Sequence, residues 1–172
     1  MSTLMYVAPA DAWHVPSPDR LEAAWTHFRT HINRFVSPLE PATDFPQFHV
    51  DLENLPEPTC PNCRHVHPGQ VVVDVFGPVY SRLREDPGSP RSLDIVAPCC
   101  GAHITLDAFE YPAVELRGHE GDEHADWKVY RTAGFSRVDI CLWDHDLFLN
   151  AAQRDDMARL LGCPIQLIWH HF

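Results

Sequence analysis

The sequence predicts an α+β fold: an antiparallel sheet with helices on one face, in ferredoxin-like order, carrying an inserted zinc-ribbon-like β module. Three observations predict it. Apolar residues recur at helical spacing in two separate segments, and several short segments alternate apolar and polar residues as half-buried strands do. Between them lie four cysteines in two short loops, TCPNC and APCCGAH.

The first helix is expected over 17–36, where Leu21, Trp25, Phe28, Ile32 and Phe35 share one face. Ser17 suits the N-cap and Pro18 the first helical position, while Ser37-Pro38 ends the segment. A proline-rich link over 40–46 follows. Phe48, Val50 and Leu52 then alternate with His49, Asp51 and Glu53, which reads as a strand. Val71, Val73 and Val75 read as a second strand. Residues 81–85 are ambiguous, one helical turn before a turn at 87–90. Leu93, Ile95 and Ala97 form a strand leading into the second cysteine loop, and Val114 with Leu116 a short one after Tyr111-Pro112. Residues 117–126 are a charged, glycine-containing loop. Val138, Ile140 and Leu142 alternate most clearly of all. Asn150 with Gln153 starts a helix that Met157, Leu160 and Leu161 anchor and that Gly162 and Pro164 stop. Ile165, Leu167 and Trp169 close the sheet.

This order divides the chain into residues 1–54 (helix and strand of the core), 55–112 (the metal-bearing insert) and 113–172 (the rest of the core). At 172 residues the length suits one domain with an insertion. Apolar runs are too short to span a bilayer, and the N-terminus has no basic region and carries Asp11 early. The expectation is a cytoplasmic protein without a membrane partner.

Charge narrows the partners. The chain carries 24 acidic against 13 basic residues, a net charge of −11. Such a surface repels phosphate backbones, so nucleic acid is disfavoured unless Arg64, Arg82, Arg84 and Arg91 gather on the insert. A basic protein partner, or simple solubility, fits better.

Six cysteines permit a disulfide framework, but a CxxC loop and a directly adjacent pair suit a metal better. Zn²⁺ takes thiolate or imidazole donors in a tetrahedron. Cys60 and Cys63 supply two sulfurs from one loop, with Pro61 stiffening it. In the second loop Ala97 stands where a regular knuckle carries its first ligand, so Cys100 is the third donor and Cys99 or His103 the fourth. His65 and His67 are outside candidates. Cys141 and Cys163 lie in apolar segments and read as core thiols. A thioredoxin-like redox role would need the CxxC to open a helix, and RHVHPG follows instead.

Other polar clusters are weaker. His119, Glu120 and His124 superficially resemble a metalloprotease helix, but five-residue spacing and Gly121 make them a solvated loop. Asp144, His145 and Asp146 read as turn formers. His49, Asp51 and Glu53 share one strand face, which is either a polar pocket with the strand after Phe135 or an exposed sheet face. His170 and His171 pack or face solvent. Trp13, Trp127, Trp143 and Trp169 exceed the needs of a small core; they suit a protein contact or packing against the N-terminal segment.

The stretches CPNC, DIVAPCCGAHITLDAFEY, GFSRVDICLWD and RLLGCPIQLIWHHF resemble a family of uncharacterised bacterial proteins with CPxC and PCCGA knuckles. The resemblance runs from about Cys60 to the C-terminus, with a fainter echo in WHVPSPDRL. It implies that both adjacent cysteines recur and favours Cys99 as fourth ligand. It implies no activity. Two function classes remain: a non-enzymatic zinc-binding protein-interaction module of adaptor or immunity type, and a zinc-dependent hydrolase with an open metal position.

Overall fold

The structure, a computed structural model, describes residues 3–51, 53–86, 91–114, 129–143 and 148–171. It is a mixed α+β fold built on a four-stranded sheet, with two further two-stranded ladders.

The chain opens with β1 (Thr3–Pro9), followed by α1 (Pro18–His27), whose last turn widens into a π-helical turn over Phe28–Ile32. Then come β2 (Gln47–Val50), a π-helical turn (Val72–Phe76) running into α2 (Gly77–Glu85), β3 (Asp94–Val96) and β4 (His103–Thr105). The chain ends with β5 (Tyr130–Arg131), β6 (Ala133–Ser136), β7 (Ile140–Trp143), α3 (Ala151–Leu161) and β8 (Ile165–His171).

The main sheet has the order β5-β8-β1-β7. β1 runs antiparallel to both neighbours, with Met5 opposite Leu142 on one side and Trp169 on the other. β7 and β8 therefore run the same way on either side of β1, and α3 is the crossover that joins them. β5 is parallel to β8, so the sheet is mixed where a wholly antiparallel one was expected. The first strand lies between two antiparallel partners, as in a ferredoxin-like sheet, but the strand beyond β8 is the parallel β5, so the full ferredoxin-like order is not reproduced.

β1 was missed at the sequence level for a physical reason. Leu4, Met5, Val7 and Ala8 are all buried, because a central strand covered on both faces has no polar side to alternate with. The expected strand at Val71, Val73 and Val75 is helical. Val72, Phe76, Val79 and Leu83 are the buried residues, at the i, i+4, i+7, i+11 spacing of one helix face. Val73 points outward at 52% exposure. The ambiguous 81–85 segment is the end of that same helix.

Elsewhere the elements match their local chemistry. Pro18 opens α1, and α3 carries a full capping box: Asn150 accepts from the Gln153 amide while the Gln153 side chain accepts from the Asn150 amide. Gly162 ends α3 at φ 74°, and the amides of Gly162 and Cys163 both donate to the Ala158 carbonyl. Val114 sits beside β5, donating its amide to the Tyr130 carbonyl, whereas Leu116 lies outside the described residues.

Two apolar clusters form. One gathers α1, α3 and the main sheet around Phe28, Tyr130, Ile140, Met157 and Leu161. Phe28 is wholly buried there, a contribution of roughly 2–3 kcal/mol from burial alone. The second gathers residues between Phe45 and Tyr111 around Phe76, Leu83, Leu93 and Leu106, and includes Cys60 and Ala97. The strand pair β5–β6 links them: Tyr130 and Arg131 pair with β8, and after Thr132 the chain leaves that sheet to pair Ala133–Ser136 with β2.

Candidate metal centre

Two turns of the same hydrogen-bond pattern present the cysteines. In the first, the Cys60 amide donates to the His65 carbonyl and the Arg64 amide donates back to the Cys60 carbonyl. In the second, the Ala97 amide donates to the Ala102 carbonyl and the Gly101 amide donates back to Ala97. Arg64 and Gly101 both take the left-handed conformation, at φ 63° and 71°. Gly101 does so without steric cost, while Arg64 needs the turn to hold it there. Cys63 and Cys100 thus occupy equivalent places, and so do Cys60 and Ala97.

The second turn is the tip of the β3–β4 hairpin, in which Val96 pairs with His103. The first is held by a bridge from Thr59 to Val66 and another from Thr59 to Glu110. The expected ribbon module reduces to these two turns: β3–β4 is a short ladder, and α2 lies between the turns in sequence.

The sulfurs of Cys60, Cys63, Cys99 and Cys100 all lie within 4.8 Å of one another. Cys63 Sγ is 3.3 Å from Cys99 Sγ, and Cys60 Sγ is 4.0 Å from Cys100 Sγ. A tetrahedral zinc with Zn–S near 2.3 Å sets its sulfurs about 3.8 Å apart, inside this range. Among the described residues no other group of three or more metal-donor side chains converges in this way. His103, the first residue of β4, is exposed and is not part of the group. His65 and His67 meet edge-to-face, and neither belongs to it.

Cys60 is fully buried; Cys63 and Cys100 are exposed and Cys99 is half-buried. Amide hydrogens stabilise sulfur as thiolate. Hydrogen bonding from the Cys63 backbone, then from Asn62, pulls the Cys60 thiol below its ordinary range. The Ala102 amide and the Asn62 side chain, whose Nδ2 is 3.4 Å from Cys100 Sγ, bring Cys100 down to about 7. Desolvation and its thiol neighbours push Cys99 up to about 12, so without a cation the cluster retains protons. A divalent ion is the natural counter-charge for four such sulfurs. The four cysteines could hold a metal ion, and all-sulfur donors select a soft or borderline one.

Cys141 and Cys163 stand apart from the cluster and are half-buried; Cys163 packs against the first apolar cluster, while Cys141 is in neither. Burial pushes Cys141 up to about 11.

On the polar side of β2, the His49 side chain is 10% exposed and Asp51 is buried, so these two do not lie on an exposed sheet face. His49 Nε2 lies 2.8 Å from Ser136 Oγ and 3.5 Å from Asp139 Oδ2, with the Tyr6 ring 4.3 Å from the imidazole. Asp51 is buried and accepts from the amides of Glu53 and Asn54, and Glu53 is exposed. Serine and carboxylate meet the same imidazole nitrogen, whereas nucleophilic catalysis needs one on each. This Ser-His-Asp group is a packing network. His170 is buried beside it, edge-on to Tyr6.

Trp169 is core and Trp13 packs into the second cluster, which leaves Trp143 exposed at 56%. Three of the four arginines weighed for nucleic acid serve the fold: Arg64 pairs with Glu110, Arg82 donates to the Ser92 carbonyl and Arg91 to that of Leu83. His119, Glu120, His124, Trp127 and Asp144–Asp146 lie outside the described residues. No helix among the described residues is long and apolar enough to cross a membrane.

No protein-family model, curated protein or solved structure matches this chain.

Proposed function

We propose that the chain is a non-enzymatic protein-interaction module, of adaptor or immunity type, whose four cysteines hold a structural Zn²⁺. The observation that carries the metal assignment is the convergence of Cys60, Cys63, Cys99 and Cys100 within 4.8 Å. Four sulfur donors fill a tetrahedral zinc and leave no position for water or substrate, which supports a structural role over a hydrolytic one. The thiols need a reducing compartment, in keeping with a cytoplasmic protein.

The site ties together segments far apart in sequence. Cys60 and Ala97 both sit in the second apolar cluster, so a metal across the two turns fastens that cluster at its edge. The likeness of both knuckles to an uncharacterised bacterial family adds a cysteine pattern to this reading and no reaction.

Support for a protein partner comes from the surface. Phe35 and Trp143 are the chain neighbours of the bridged residues Val36 and Leu142, and the two are 61% and 56% exposed. Exposed aromatics beside a sheet suit a contact surface, and a net charge of −11 suits a basic partner.

Elemental analysis of the purified chain, with Cys99→Ser and His103→Ala beside it, tests the reading. One zinc per chain, kept in His103→Ala and lost in Cys99→Ser, is the expected result. Chelation then unfolds the second cluster, read by circular dichroism. A chain that keeps its fold on chelation but loses a hydrolytic turnover overturns the proposal. So does a failure to recover any stoichiometric partner from host extract over a range of salt.

A further inference from the structure

A cleft of about 490 Å³ opens beside the second apolar cluster, and its lining residue Glu110 reaches the first cysteine turn through Thr59 and Arg64. Its walls come from the segment after β1, the segment after β4, the β5–β6 strand pair and the start of β8. Small residues line its sides, Ala10, Ala12 and Ala133, while Gly134 lets Gln166 and Ile168 approach the backbone closely. That volume lies in the range of pockets that take small organic molecules.

The chemistry of the lining is one-sided. Asp11, Asp107 and Glu110 face Arg131, and Gln166 adds an amide. Arg64 already pairs with Glu110 from outside the cleft. Among the described residues these three carboxylates outnumber the two guanidinium groups, Arg131 in the lining and Arg64 on Glu110. Among the described residues, two buried polar atoms of the lining have no hydrogen-bond partner: Asp107 Oδ1 and the Tyr111 hydroxyl. Tyr111 is 8% exposed, so its bare hydroxyl is a cost that folding alone does not explain. Phe109, Tyr111 and Phe135 supply aromatic surface.

Metal binding does not account for these features. The carboxylate oxygens of Asp11, Asp107 and Glu110 do not converge as the four sulfurs do. Spread carboxylates over an aromatic floor match a cation that is itself extended, with donors at one end and carbon at the other.

We propose that this cleft binds a small organic cation, an ammonium or guanidinium group on a short apolar stem. Asp107 accepts its hydrogen bonds, Asp11 adds charge at the mouth, and the aromatic rings cover the stem. This role goes beyond the metal-held interaction module and does not depend on it.

The test uses the full chain with n-butylguanidinium and n-butylammonium chloride as probes and n-butanol as neutral control, read by amide NMR titration. Both cations should give saturable shifts at Arg131, Ala133 and Gly134, and n-butanol should not. Asp107→Asn should weaken binding at least tenfold, the equivalent of about 1.4 kcal/mol for a charge-assisted bond. Asp11 is exposed, so Asp11→Asn leaves the fold intact and should also weaken binding; it decides the matter if Asp107→Asn proves misfolded. No saturable shift at roughly 10 mM probe, where even millimolar affinity shows, overturns the proposal. Equal binding of n-butanol, or binding unchanged in the folded variants, overturns it too.

Discussion

Cys60 and Ala97 hold the same place in two turns of one hydrogen-bond pattern, yet only the first carries a sulfur. The fourth sulfur comes instead from Cys99, two residues further along and in the place that Asn62 holds in the first turn. Ala97 is 1% exposed and packs in the second apolar cluster, next to the core that buries Cys60. The second turn thus keeps its shape while its first donor is displaced.

That relationship predicts a rescue. Cys99→Ala alone should lose metal, with affinity falling by more than the roughly 10–100-fold that outer hydrogen-bond partners are worth. Ala97→Cys combined with Cys99→Ala rebuilds a regular knuckle and should recover it. Cobalt(II) substitution reads both, through sulfur-to-metal charge-transfer bands. A double variant no better than Cys99→Ala would show that the two turns are not equivalent.

Asn62 offers a milder perturbation. Its side chain donates to Cys100 Sγ at 3.4 Å without joining the donor set. Asn62→Ala should weaken metal binding by roughly 10–100-fold while leaving one metal per chain at saturation. Competition against a chelator of known affinity measures the change. An unaltered affinity would mean that backbone amides alone stabilise the thiolates.

How far the sequence disclosed this molecule depends on what each segment faces. α3 was readable because its cap, its apolar face and its glycine stop all act locally. β7 was readable because it alternates buried and less buried residues, from Ile140 to Trp143. β1 hid because both of its faces are covered, so LMYVA lacks a period. The helix through Val72 and Phe76 hid because three consecutive valines favour a strand locally, while packing against Leu93 and Phe109 rewards the helical spacing. In the metal centre the four cysteines were legible from spacing. The choice between Cys99 and His103 needed the hairpin, which turns Cys99 inward and leaves His103 exposed on β4. The cleft was not legible, since its walls come from four distant segments.

His49 and Asp139 form a largely buried pair, 10% and 23% exposed, whose pH response should be self-cancelling. Burial, then the nearby His170, lowers His49 to about 4; burial, then Glu40, raises Asp139 to about 6. The folded His49 value lies below its unfolded 6.5, so its contribution is present above pH 6.5 and lost as pH falls towards 4. The folded Asp139 value lies above its unfolded 3.8, so its contribution is present below 3.8 and lost as pH rises through 6. Between about pH 4 and 6 the pair holds one proton in the fold, whichever group carries it. Asp139→Asn removes one side of the balance. Relative to the parent, that variant should lose on the order of 2 kcal/mol as pH falls from 6.5 to 4, and His49→Gln should gain over the same window. Urea denaturation at steps of pH checks both, and parallel curves for parent and variants would refute the pairing.

Gly162 and Arg20 make the joint between the two helices that cover the sheet. Arg20, in α1, donates to the carbonyls of Arg159 and Leu160 at 3.4 and 3.3 Å, satisfying the open end of α3. Gly162 lies beneath that guanidinium at φ 74°, and a Cβ there would run into it. Gly162→Ala therefore carries two penalties, the left-handed backbone cost of roughly 1–2 kcal/mol and the displacement of Arg20. Arg20→Ala carries only the loss of the capping contacts, roughly 0.5–1 kcal/mol for an exposed side chain. Since the alanine at 162 already dislodges the guanidinium, the double variant should be less destabilised than the sum of the singles. A double-mutant cycle by thermal denaturation measures this. Strict additivity would mean that Arg20 simply swings aside, and that the strain at position 162 is the whole of the effect.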